Sequence, residues 1–149
     1  MNSMAYKIVG NVHLVLHGAS TPTDAEWNDY TDAVSAELQR GLKPAEMRTL
    51  VFSDGEGPNS AQRKRVNDIL TGRATPVAIV SSSVMMRGIV TALQWFNPLM
   101  KVFAPEHVGD AFRFVKIPDR QHENIWKEAQ RLQSALGASN MKCLKGPLR

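Results

Sequence analysis

The chain has 149 residues, 43% of them hydrophobic and 21% charged, with 18 Lys and Arg against 14 Asp and Glu and a pI near 9.5. That length is enough to bury one independent core, and the composition excludes a chain dominated by disorder or by a membrane span, for which roughly 20 consecutive apolar residues are needed. Cys143 is the single cysteine, which excludes an intramolecular disulfide and fits a reducing, cytoplasmic setting.

The residues from Met1 to Lys7 carry no basic, apolar and small-residue succession of the secretory type. Tyr6–Val9 and Val12–His17 are β-prone runs separated by Gly10-Asn11, a pair suited to a tight antiparallel hairpin. Thr23 with Glu26 has the reciprocal capping spacing of a helix start, and Trp27, Tyr30, Val34 and Leu38 follow at helical intervals up to Gly41. Thr49–Phe52 reads as a strand covered on both faces. The turn-forming segment Ser53–Pro58 comes next, and Asn59 or Ser60 caps a helix carrying Val66, Ile69 and Leu70.

Pro76–Val80 reads as a buried strand, Ser81–Ser83 as a capping cluster, Val84–Phe96 as a helix and Met100–Ala104 as a strand. In the Val84 helix, Met85, Met86, Ile89, Ala92, Leu93 and Phe96 form the expected core face, with Val84, Gly88 and Trp95 on its flank. A short helix over Val108–Val115 precedes a last one in which Ile125, Ala129, Leu132 and Leu136 share a stripe ending at Gly137. The basic residues Lys142, Lys145 and Arg149 mark 138–149 as a flexible tail beyond a core of about residues 5–136. The whole is read as one α/β domain: an N-terminal β-hairpin, alternating helices and mostly parallel strands, and an extra C-terminal helix.

Several segments together resemble the STAS or SpoIIAA-like group, which includes anti-sigma factor antagonists and small bacterial STAS/SEC14-like proteins. They are the hairpin, Asp24–Trp27, Ser53–Asn59 leading into Gln62-Arg63, Arg87–Pro98, and Val102-Phe103 with Asp110–Phe112. The resemblance implies a SpoIIAA-like fold and a role in protein–protein switching. It also marks Ser60, at the start of the helix after the third strand, as a candidate phosphosite.

The residues themselves place a candidate binding site where glycine-rich loop meets helix. Asp54, Gly55, Gly57, Asn59 and Ser60 lead into Arg63, and unpaired amides with the positive end of the helix macrodipole attract anions there. Arg63, Lys64 and Arg65 stand where the macrodipole favours acids, so an anion or acidic partner would offset their placement. Ser82, Ser83 and Arg87 form a second polar cluster at the carboxyl end of a strand.

These features point to a non-enzymatic regulatory module recognising an acidic protein surface or small anion, expected as a homodimer with Val84, Gly88 and Trp95 as interface residues. The alternative is a protein binding an apolar or lipid-like molecule between the Val84 helix and the final helix. A hydrolase, with His17, Asp54 and Ser82 converging, ranks third, and no Gly-x-Ser-x-Gly elbow is present. No catalytic set, cofactor motif or metal-ligand spacing is read, and neither nucleic-acid binding nor membrane insertion is indicated.

Overall fold

A computed structural model describes residues 2–94, 97–137 and 141–148. Its five strands, β1 Met4–Val9, β2 Val12–His17, β3 Arg48–Ser53, β4 Val77–Val80 and β5 Met100–Phe103, form a single sheet in the order in which they occur along the chain. β1 and β2 are antiparallel, with Val9 opposite Val12 across a two-residue turn, and Gly10 takes the φ of +62° that such a turn requires. The β2–β3, β3–β4 and β4–β5 pairs are all parallel.

Between the strands lie α1 Asp24–Gln39, α2 Ser60–Ile69 and α3 Val84–Leu93; α4 Val108–Phe114 and α5 Asp119–Leu132 follow β5. The period-two alternation of strand side chains sorts the helices into two layers. Leu14, Leu16, Leu50, Phe52, Ala78 and Val80 face α4 and α5 and form a closed core with Phe112, Ile125, Trp126 and Ala129. Val15, Val51, Val77 and Ile79 point the other way, toward α1, α2 and α3.

α1 starts on the expected capping box: Glu26 N donates to Thr23 Oγ1 at 3.2 Å, and Thr23 N donates to Glu26 Oε1 at 3.1 Å. The other carboxylate oxygen of Glu26 accepts from the backbone of Ser3 and Met4, fastening the helix start to β1. Burial alone would raise the Glu26 carboxyl, but these donors hold it below the usual carboxylate range. α2 opens on a second box, formed by Asn59 and Gln62, each side chain accepting from the other's backbone N–H at 2.9 Å. The Gln62 side chain also donates to Pro22 O, and its backbone carbonyl accepts the Trp27 indole N–H at 2.7 Å, so this buried residue joins α1 to α2.

Two expectations need correction. The segment 138–149 is not a free tail over its described part: Met141, Cys143 and Leu144 are buried in the α4/α5-side core. Asp54 holds this strap by accepting Lys142 N at 2.9 Å and Cys143 N at 3.3 Å. On α3 the buried residues are Met86 and Val90, whereas Met85 is 63% exposed and Ala92 faces solvent; the core stripe is narrower than the sequence suggested because α3 covers the edge of the sheet, against β5, and not its middle. Phe96, expected in that helix, lies outside the described residues.

Candidate functional site

α2 leans against α1 and α3 leans against β5, so the part of the sheet between them is left uncovered. The result is a cavity of about 460 Å³, within the size range of small-molecule sites. Its floor is the outward face of the sheet, with Val15, Val51, Val77, Ile79 and Met100. One rim is apolar, with Met86, Ile89, Val90 and Leu93 of α3 at helical spacing; the other is polar, with Ser60, Arg63, Lys64 and Asn67 of α2. Trp27 and Tyr30 of α1 close the inner side.

Among the described residues, three buried polar atoms on these walls have no hydrogen-bond partner: His17 Nδ1, Thr49 Oγ1 and Thr75 Oγ1. Their residues are 3%, 6% and 3% exposed. A buried polar group left unpaired costs about 1–3 kcal/mol, so three on one cavity wall are a feature that calls for a complementary group. Burial pushes the ionisation of the neighbouring Tyr30 phenol well up, with Tyr6 adding to the rise and the Thr49 hydroxyl opposing it. Burial also depresses His17 to about 4 against a weaker opposing effect of Glu26, so the imidazole is neutral at neutral pH.

The residues expected to bind an anion are only partly brought together. Gly57, Ser60 and Arg63 line the cavity, and with Thr21, Glu56, Pro58, Asn59 and Ile89 they also form a shallow hollow beside it. The Arg63 guanidinium turns back to donate to Pro58 O at 2.6 Å and Ser60 Oγ at 3.0 Å. Lys64 pairs with Asp68, and Arg65 donates to Thr31 and Asp32, so internal partners offset all three basic side chains of the first turns.

Asp54 is occupied by the C-terminal strap. Gly55 packs its backbone against Gly18 and Ala19, and neither residue lines the cavity. Ser83 caps α3 through Met86 N, while Ser82 and Arg87 are exposed and stand apart from the cavity lining. Of the suggested interface residues, Val84 is 76% exposed and Gly88 faces open space; Trp95 lies outside the described residues.

The expected pocket between the Val84 helix and the final helix does not form, because α3 and α5 sit on opposite faces of the sheet. Nor do His17, Asp54 and Ser82 make a triad: the Asp54 carboxylate binds backbone amides, and His17 Nδ1 has no partner. Among the described residues no three His, Cys, Asp or Glu side chains gather as metal ligands, and no helix is long and apolar enough to cross a membrane.

Thr49 and Thr75 were not singled out as site residues by sequence, and Gln62 was named only within the segment that carries the resemblance. Gln62 had a readable signal in the Asn-x-x-Gln spacing of a capping box. The two threonines had none: Thr49 lies in a strand covered on both faces, which shows no polar alternation to reveal which side chains meet a void, and Thr75 lies in the loop before β4, where no periodicity applies.

No family model matches the chain, and no curated protein matches it. A solved structure does: an uncharacterized protein from the DUF3478 family with a SpoIIAA-like fold, from Shewanella loihica PV-4. The two superimpose with a TM-score of 0.55 at 17% identity, over 77% of this chain and 95% of that one. With its hairpin, its parallel succession of strands and its two helical layers, the chain has the SpoIIAA-like fold.

Proposed function

We propose that this protein is a non-enzymatic, cytoplasmic binding module that takes an apolar small molecule into the cavity between the sheet and α1–α3. The observation that carries this reading is the cavity itself, with aliphatic and Met side chains over most of its surface and a few polar atoms left unpaired on its walls. A closed core on the opposite face of the same sheet shows that these strands pack tightly where helices cover them.

Decanol serves as a probe. It is expected to raise the unfolding midpoint in a concentration-dependent way and to give a saturable heat of binding by calorimetry. Val51→Phe, which fills the floor of the cavity, should abolish both while leaving a folded protein. Absence of binding by the unmodified protein overturns the reading.

A second reading, recognition of an acidic surface or small anion by a regulatory module, is favoured by the hollow in which Ser60 and Arg63 meet at the start of α2. A phosphoryl group on Ser60 would stand beside the same guanidinium. Inorganic phosphate titrated against the protein and its Arg63→Glu and Arg87→Glu variants tests it. The first substitution should weaken binding, and the second, at a residue that does not line the hollow, should not. The exposed Val84, Met85 and Gly88 are the surface we assign to a homodimer or partner contact, tested by sedimentation of Val84→Glu.

A further inference from the structure

The unpaired polar atoms are not scattered over the cavity but gathered at its two ends. His13 of β2 stands opposite Thr49 of β3, and His17 lies four residues further along β2. At about 3.3 Å per residue, His17 and Thr49 are therefore separated by about 13 Å along the strands. Thr75 belongs to the Thr49 end: Thr49 N donates to Pro76 O at 3.1 Å, and Thr49 is in register with Val77. The Asn97 side chain clamps Thr75 through its backbone, donating to Thr75 O at 2.9 Å and accepting from Thr75 N at 3.3 Å, so the segment that carries the hydroxyl is fixed.

Between the two ends the floor is hydrocarbon, made by Val15, Val51, Val77 and Ile79. The far end holds His17, with its Cδ2 3.7 Å from where a Cβ on Gly57 would lie, next to the loop that leads into α2. The pattern is polar, apolar, polar along one axis. The ionised side chains of the lining are Glu56, Arg63, Lys64 and Arg73, of which Lys64 is paired with Asp68 and Arg63 is bonded to its own loop.

We infer that the cavity selects an elongated molecule with a hydrogen-bonding oxygen at each end and an apolar middle, one end held by the Thr49 and Thr75 hydroxyls and the other by the His17 ring. This rests on the reading of the cavity as a binding site and adds to it the polarity pattern of the occupant. A threonine hydroxyl both donates and accepts, and a neutral imidazole nitrogen does one or the other, so an alcohol or carbonyl oxygen satisfies either end without bringing charge into the cavity. A simple apolar chain would fill the middle and leave all three polar atoms unpaired.

The test compares decanol with the decanediol bearing a hydroxyl at each end, by calorimetry, on the unmodified protein and on the double variant Thr49→Val with Thr75→Val. Valine has nearly the shape of threonine and the single hydroxyl of decanol can turn to the His17 end, so decanol should bind both proteins alike, and removal of two unpaired hydroxyls should leave the unfolding midpoint unchanged or higher. The diol should bind the unmodified protein about tenfold more tightly than decanol, and the double variant should lose that preference.

Binding of both probes without preference, or a preference that survives in the double variant, overturns the inference and leaves the apolar-cavity reading standing; the hydroxyls would then meet only water. Failure of both probes to bind overturns both. Should the double variant not fold, Thr75→Val alone, outside any strand, must reduce the preference, and Thr75→Ser, which keeps the hydroxyl, must retain it.

Discussion

Gly55 shows how one missing side chain sets the shape of the loop beside the cavity. A Cβ there would lie 2.6 Å from Ala19 O and 2.7 Å from Gly18 O, both backbone atoms that cannot move aside without shifting the loop after β2. Gly55→Ala should therefore destabilise the protein by about 1–3 kcal/mol, measured by urea unfolding, although the residue is half-buried and touches no ligand-lining group. The two histidines of β2 make a second residue-scale prediction. His13 is fully buried with neither ring nitrogen paired, and burial lowers its pKa, opposed by Glu37; His17 is lowered to about 4.

Because the unfolded chain takes up these protons near pH 6.5 and the folded chain does so only at lower pH, stability is full above about 6.5 and falls as the pH drops. For His17 the loss continues down to about pH 4 and is on the order of 3 kcal/mol. Urea unfolding at pH 7.5, 5.5 and 4.5 should show the decline, and His17→Phe should flatten it. At this scale the sequence was legible where a residue acts locally. Ser83 was read as a cap and is one; Asp54 was read as a ligand and instead holds residues 142 and 143, a contact across 88 positions that no local pattern encodes.

Elements were legible wherever periodicity or capping chemistry named them. The Thr23–Glu26 box, the hairpin over Gly10-Asn11 and the Ile125–Leu136 stripe all emerged as read. The C-terminal strap did not, because its buried residues Met141, Cys143 and Leu144 are too few to set up a period and are interspersed with lysines. Its attachment yields a direct test. Burial, with the nearby Asp54 carboxylate adding to it, pushes the Cys143 thiol well above its ordinary range, so the native protein should react slowly with a thiol reagent. Asp54→Ala removes the acceptor for two backbone N–H groups and should accelerate labelling by about tenfold or more, read by mass spectrometry over time.

At the scale of the whole molecule the two faces of the sheet are unequal, and adjacent residues of β3 report the difference. Leu50 is fully buried against the α4/α5 layer, whereas Val51 meets the cavity and is half-buried. Leu50→Ala should cost about 2–5 kcal/mol, while Val51→Ala, which only enlarges a space already open, should cost less than about 1 kcal/mol. Chemical denaturation of the two variants checks the ratio, and equal losses would mean that the cavity side is packed as tightly as the other. The sheet and its layering were visible in the rhythm of strands and helices. The cavity was not, since it arises from how far apart α2 and α3 settle, a distance fixed by Gln62 on one side and by β5 on the other.

The strand order, identical with the order of synthesis, also bears on how the chain reaches its native state. The β1–β2 hairpin offers the edge of β2, and each later strand finds its place beside the strand just before it, so no strand must wait for a distant one or be threaded between two already paired. Assembly can thus proceed as a ratchet from one end. The strap then returns to Asp54, just past the third strand, through Lys142 and Cys143 and pins the layers together.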